Sequence, residues 1–145
     1  MRVTVDASVF VSAYLASDPH HATSLKLLGK LIEDKIELNA PVLVLAEVAA
    51  AMARNTQDPQ RGQAAREMIE QTPRMQLYPL SVALGKKAAD FASTRFLRGA
   101  DSVYVAAADM TGSALITLDN EMRERASEAT VTLTPAEWLG QHQDN

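Results

Sequence analysis

Apolar and polar residues alternate at the very start of the chain. Val3 and Val5 lie between Arg2 and Thr4, and β-branched residues dominate, so Arg2–Val5 reads as a short strand. Asp6 follows where that strand ends. Ala7-Ser8 then leads into an apolar stretch with helical spacing at Val9, Ala13 and Leu15-Ala16. Ser17-Asp18-Pro19 marks a turn. His20–Asp34 predicts an amphipathic helix whose apolar face is Ala22, Leu25, Leu28 and Ile32. Ile36–Leu38 is a short strand. Pro41 fits the first turn of a helix that continues to Met52, and Asn55–Pro59 breaks it. Pro59–Thr72 is the next helix, with Ala64, Met68 and Ile69 on one face. Met75–Leu80 is strand-like, and Ser81 caps a helix with apolar positions Leu84, Ala88, Phe91, Ala92 and Phe96.

The second half opens on Arg98-Gly99-Ala100, read as a loop, with Asp101 starting a helix over Ser102–Met110. That helix is apolar almost all round, from Val103 to Ala108, and such a helix is buried. Gly112 ends it. Ala114–Leu118 is a strand with Asp119 directly after it. Asn120–Ser127 is a short polar helix, Thr130–Leu133 a strand and Pro135–Gly140 a last turn of helix, packed by Trp138. Strands alternate with helices, which argues a parallel sheet covered on both faces. No repeat, linker or low-complexity segment interrupts residues 1–145, so a single domain is expected.

Composition narrows the chemistry. The 145 residues are 47% hydrophobic, enough for a real core and too apolar for a disordered chain. There is no cysteine, so disulfides and zinc–thiolate sites are excluded, in keeping with a reducing cytoplasm. The formal net charge is −4. A protein that coats nucleic acid through bulk charge is basic; here a local patch or a metal ion must supply any such attraction. Asp6 interrupts the N-terminal apolar run, so a strand-turn-helix reading is preferred to a signal peptide. The apolar run at residues 40–53 carries Glu47 and is too short to span a bilayer. A soluble cytoplasmic protein is expected.

Four acids occupy notable places. Asp6 and Asp119 end strands, and Asp101 opens a helix. Glu47 lies among Leu45, Ala46, Val48 and Ala49, with no Lys or Arg one turn before or after it. Asp6 alone is equally well read as a helix cap. Together, if they converge, the four would repel one another without a cation. Converging carboxylates without histidine or thiolate suit a hard ion, Mg²⁺ or Mn²⁺, the kind that bridges phosphate oxygens and activates water.

These stretches resemble a known family. Asp6-Ala7-Ser8 after the opening strand, Ala46-Glu47 in an apolar helix, Ala100-Asp101-Ser-Val-Tyr-Val-Ala-Ala-Ala108 and Leu115-Ile-Thr117-Leu-Asp119 look like the four acidic motifs of PIN-domain nucleases. The likeness runs from Met1 to about Trp138. Length and motif order are similar to the toxin ribonucleases of VapBC-type toxin–antitoxin pairs. The resemblance implies a three-layer α/β/α sandwich with a central, mainly parallel sheet. It also implies one or two Mg²⁺ or Mn²⁺ ions, hydrolysis of single-stranded RNA, a small antitoxin partner and a homodimer. Asp6, Glu47, Asp101 and Asp119 match the family's acids, as catalytic residues and metal ligands, and Ser8 and Thr117 match its accessory hydroxyls. A further acid often follows the last motif in the family; here Asn120 stands there and Glu121 comes next.

Other residues are read as ordinary surface. Adjacent His20 and His21 do not face the same way on a helix. Asp109 lies about 12 Å along the helix from Asp101, too far to share an ion. Arg98 is either a phosphate contact or a solvated arginine. Lys86, Lys87, Arg95, Arg123 and Arg125 are read as exposed helix surface, and Leu27 and Leu31 as exposed apolar positions open to a partner. A phosphatase with an aspartyl nucleophile would need an acid where Ser8 stands, and a phospho-receiver would need one where Val5 stands. The alternative function is a catalytically inactive PIN-like RNA-binding or assembly module.

Overall fold

The protein, described over residues 1–143 by a computed structural model, is built on five parallel strands: β1 (Arg2–Val5), β2 (Glu37–Pro41), β3 (Met75–Tyr78), β4 (Ala114–Ile116) and β5 (Thr132–Leu133). Their spatial order is β3-β2-β1-β4-β5, and every neighbouring pair is parallel. Eight helices connect or follow them: α1 (Ala7–Tyr14), α2 (His21–Glu33), α3 (Leu43–Thr56), α4 (Pro59–Glu70), α5 (Val82–Arg95), α6 (Gly99–Thr111), α7 (Asn120–Ala126) and α8 (Pro135–Gln141). The α/β/α sandwich implied by the four motifs is therefore the observed fold. Among the described residues, no helix is long and apolar enough to cross a membrane.

The topology decides where a ligand can sit. The chain steps outward from β1 to β2 to β3, then returns past β1 to β4 and continues to β5. Right-handed crossovers put α1–α4 on one face and α5–α7 on the other. Between β1 and β4 the connections part to opposite faces, opening a crevice at the carboxyl ends of those two strands. The core fills the sheet's two faces: Val3, Val5, Leu38, Leu115 and Ile116 from strands, with Phe10, Leu27, Leu31, Val44 and Val48 from helices. A smaller cluster, including Leu84, Ala88, Val103 and Ala107, joins α5 to α6.

Several expectations are corrected. Pro41 is the last residue of β2, paired with Tyr78, and does not open α3. The Leu38 and Val42 amides donate to Arg74 and Tyr78 across the β2–β3 seam, so residue 41 would direct its amide toward β1, which has already ended. A missing N–H costs nothing there. In α2 the buried face is Ser24, Leu27, Leu28 and Leu31, while Leu25 and Ile32 are exposed. Leu27 and Leu31 are thus core residues, not free apolar surface. Ala65 and Ile69, not Ala64 and Met68, anchor α4. Phe96 is exposed beyond α5. The helix α6 begins at Gly99, so the expected loop is its first turn.

Candidate active site

Asp6 stands at the end of β1, 5% exposed, with its amide bound to the Ile116 carbonyl at 3.0 Å. It occupies the N-cap position of α1, yet its carboxylate makes no cap hydrogen bond. Instead Oδ2 accepts from Ser8 Oγ at 2.7 Å and from Thr117 Oγ1 at 2.8 Å. The same hydroxyls hold the neighbouring segment: Leu118 N–H donates to Ser8 Oγ at 3.1 Å, and Asp119 N–H to Thr117 Oγ1 at 3.0 Å. Ser8 and Thr117 therefore stitch the end of β1 to the turn after β4. Burial raises the Asp6 pKa, and the Ser8 and Thr117 hydroxyls and the Ser8 and Ala7 amides pull against that rise.

The other three acids come from three further elements. Glu47 is half-buried in the second turn of α3, and Oε1 accepts the Tyr104 hydroxyl of α6 at 2.6 Å. Burial pushes its pKa up, Tyr104 opposes this, and the charge of Asp6 adds to it. Asp101 is the third residue of α6. Its pKa is raised from 3.8 to about 6 by burial, then by the charges of Asp6 and Asp119, with Arg98 pulling it down and Glu47 pushing it up. Asp119 does not follow β4 directly: Thr117 and Leu118 intervene, and Asp119 caps α7 by accepting the Met122 amide at 2.9 Å. Asp6, Glu47 and Asp119 all act on Asp101, so the four carboxylates share one electrostatic neighbourhood at the β1/β4 crevice.

Among the described residues, no three Asp, Glu or His side chains are gathered tightly enough to hold one metal ion directly. Three of the acids are tied by bonds of their own: Asp6 to two hydroxyls, Glu47 to a phenol, Asp119 to a helix amide. The donor set nevertheless fits Mg²⁺ or Mn²⁺. It is all carboxylate and hydroxyl, Asp6 raises the proton affinity of Glu47 while Asp6, Asp119 and Glu47 raise that of Asp101, and Mg²⁺ keeps several waters and binds through one or two carboxylates.

A family profile for the PIN domain matches residues 3–128, a span that includes all four acids. The chain belongs to the PIN-domain family. Solved structures repeat this PIN fold at low identity. A chain of VapBC2 from Rickettsia felis, bound to a DNA fragment from their promoter, superposes with a TM-score of 0.69 at 13% identity, covering 92% of this chain and 98% of that one. Mycobacterium tuberculosis VapC20, a sarcin-ricin loop cleaving toxin, gives 0.69 at 18% identity, covering 84% and 93%. VapBC-1 from nontypeable Haemophilus influenzae gives 0.68 at 14%, covering 94% and 99%. A comparison with curated protein sequences finds no match.

Several other charged residues of the PIN domain form ion pairs on its surface. Asp109 bonds Lys87 at 2.7 Å, linking α6 to α5, away from the acids. Arg95 pairs with Glu128, and Arg123 with Glu137. Glu121 receives Arg125 at 2.6 Å and lies 3.8 Å from Arg98. Arg98 is exposed and is the cation that acts on Asp101. His21 Nδ1 meets the Ser12 carbonyl, far from any metal role. Tyr104 escaped the sequence reading because it sits inside an apolar run. Its signal was there: a phenol in a helix buried on all sides must find a partner.

Proposed function

We propose that this PIN domain is a metal-dependent endoribonuclease that cleaves single-stranded RNA and serves as the toxin of a toxin–antitoxin pair. The observation that carries the reading is the gathering of Asp6 and Asp119 around the ends of β1 and β4, with Glu47 raised by the charge of Asp6 and Asp101 by those of Asp6, Asp119 and Glu47, so that like charges repel there. Such repulsion destabilises the metal-free fold and is relieved by a divalent cation. The four acids would hold Mg²⁺ or Mn²⁺, in part through water. The bound ion would polarise the scissile phosphate and lower the pKa of an attacking water. Ser8 and Thr117 aim Asp6 by donating to one of its oxygens. Asp101, whose pKa is raised to about 6, is suited to take a proton from that water. Arg98, beside Asp101, is suited to meet a backbone phosphate.

The partner reading has its own support. Of the structural neighbours described above, two come from VapBC assemblies and one is a sarcin-ricin loop cleaving toxin. An open groove lined by Tyr14, Leu25, Leu28, Ile32 and Met68 offers an apolar seat for a small antitoxin. A homodimer and a cytoplasmic location complete the proposal. The test is cleavage of single-stranded RNA by the purified protein, freed of partners, with Mg²⁺ or Mn²⁺. Cleavage that stops in excess EDTA is expected. Undiminished cleavage in chelator overturns the metal reading, and RNA bound but never cut favours the inactive binding module. Light scattering, with and without the product of the adjacent gene, tests the dimer and the partner.

A further inference from the structure

We propose that Tyr104 is a positioning residue that fixes Glu47 for metal binding. The inference rests on the metal-dependent reading of the four acids and deepens it. Glu47 is otherwise free to wander: Leu43, Val44, Ala50 and Ala51 surround it on α3, and none can bond its carboxylate. A glutamate side chain ordered by nothing loses rotamer freedom when it takes up a ligand. Among the described residues, the one hydrogen bond to this carboxylate comes from another helix, from Tyr104 Oη to Oε1 at 2.6 Å. That length belongs to a charge-assisted bond between a hydroxyl and a carboxylate.

The donor is itself immobile. Tyr104 is fully buried on α6, among the side chains that cover the sheet, one turn beyond Asp101. From this fixed position its hydroxyl donates to the Glu47 carboxylate. The bond engages Oε1 and leaves Oε2 without a partner among the described residues. One rigid helix thus places two of the acids, Asp101 through its own backbone and Glu47 through a phenol. Partners of this kind, one bond removed from the metal, typically govern affinity by 10–100-fold.

Tyr104→Phe keeps the ring and its packing and removes only the oxygen. Calorimetric titration of the metal-free protein with Mn²⁺ should show the variant, still folded by circular dichroism, binding about tenfold or more weakly. Cleavage should fall at limiting Mn²⁺ and return toward wild type in excess Mn²⁺, a rescue that a packing defect would not show. Glu47→Gln should weaken Mn²⁺ binding, and adding Tyr104→Phe to it should weaken binding no further, because a residue that acts through Glu47 is not additive with it. Wild-type affinity in Tyr104→Phe, or full additivity in the double variant, overturns the proposal. A wild-type protein that binds no Mn²⁺ overturns instead the metal reading beneath it.

Discussion

Replacing Asp101 by Asn should abolish cleavage and yet stabilise the metal-free protein. The carboxylate is half-buried, and its pKa rises from 3.8 to about 6 through burial and the charges of Asp6 and Asp119. At ~1.4 kcal/mol for each pH unit, the whole difference would amount to ~3 kcal/mol. Solvent screening at a half-exposed position reduces this to roughly 1–2 kcal/mol. Asp101 also lies in the first turn of α6, where a negative charge contributes about 0.5 kcal/mol that the variant forfeits. The net gain is roughly 1 kcal/mol, or ~3 °C in melting temperature for a chain of this length. The pH dependence fixes the cause. A carboxyl whose folded pKa exceeds its unfolded value leaves the folded state with more bound protons between the two, so this group's contribution to stability falls as pH rises from 3.8 to about 6. The advantage of Asp101→Asn should therefore be complete above about pH 6 and vanish below about pH 4. Thermal melts from pH 4 to pH 8, in EDTA and in Mn²⁺, measure it, and the Mn²⁺-induced rise should shrink in the variant. A variant less stable than wild type at pH 7.5 without metal, or a gain that persists at pH 4, would refute the reasoning.

Asp109→Asn is the matched control: it breaks the partly exposed pair with Lys87, should cost less than about 1 kcal/mol in a denaturant titration, and should leave cleavage and the Mn²⁺ response intact. Thr117→Val removes the donor to Asp6 and the acceptor of the Asp119 amide together; it should cost roughly 1–3 kcal/mol and depress cleavage at saturating metal. Gly62→Ala would stabilise an ordinary helix by about 1 kcal/mol. Here a Cβ would lie 2.6 Å from the Ala49 carbonyl oxygen, so urea unfolding should instead show a loss of about 1–2 kcal/mol.

The sequence disclosed what local pattern and chemistry control. A β-branched strand running into an acid, an all-apolar helix behind Asp101, and a lone Glu47 without a helical partner were each visible, and the structure places their acids in one neighbourhood. What tertiary packing decides was hidden. The helix α2 carries two overlapping apolar stripes, and contact with α1 and α8 selects Leu27 and Leu31 over Leu25 and Ile32. Pro41 resembles a helix start until β1 is seen to end beside it. The hydroxyls of Ser8 and Thr117 join residues 111 positions apart or nearly so, a separation that no local pattern encodes.

That separation also sets an order of events during synthesis. Asp6 and Glu47 leave the ribosome well before the strand that anchors the end of β1, and Asp101 shortly before it, because chains emerge N-terminus first at roughly 5–20 residues per second. Until Ile116 accepts the Asp6 amide and Thr117 grips its carboxylate, the first acid has neither its buried place nor its aim. A long-range pairing of this kind is slow to close. The unfinished chain therefore carries most of the acids with none of their arrangement, and the crevice comes into being only once the segment around Ile116 and Thr117 has been made.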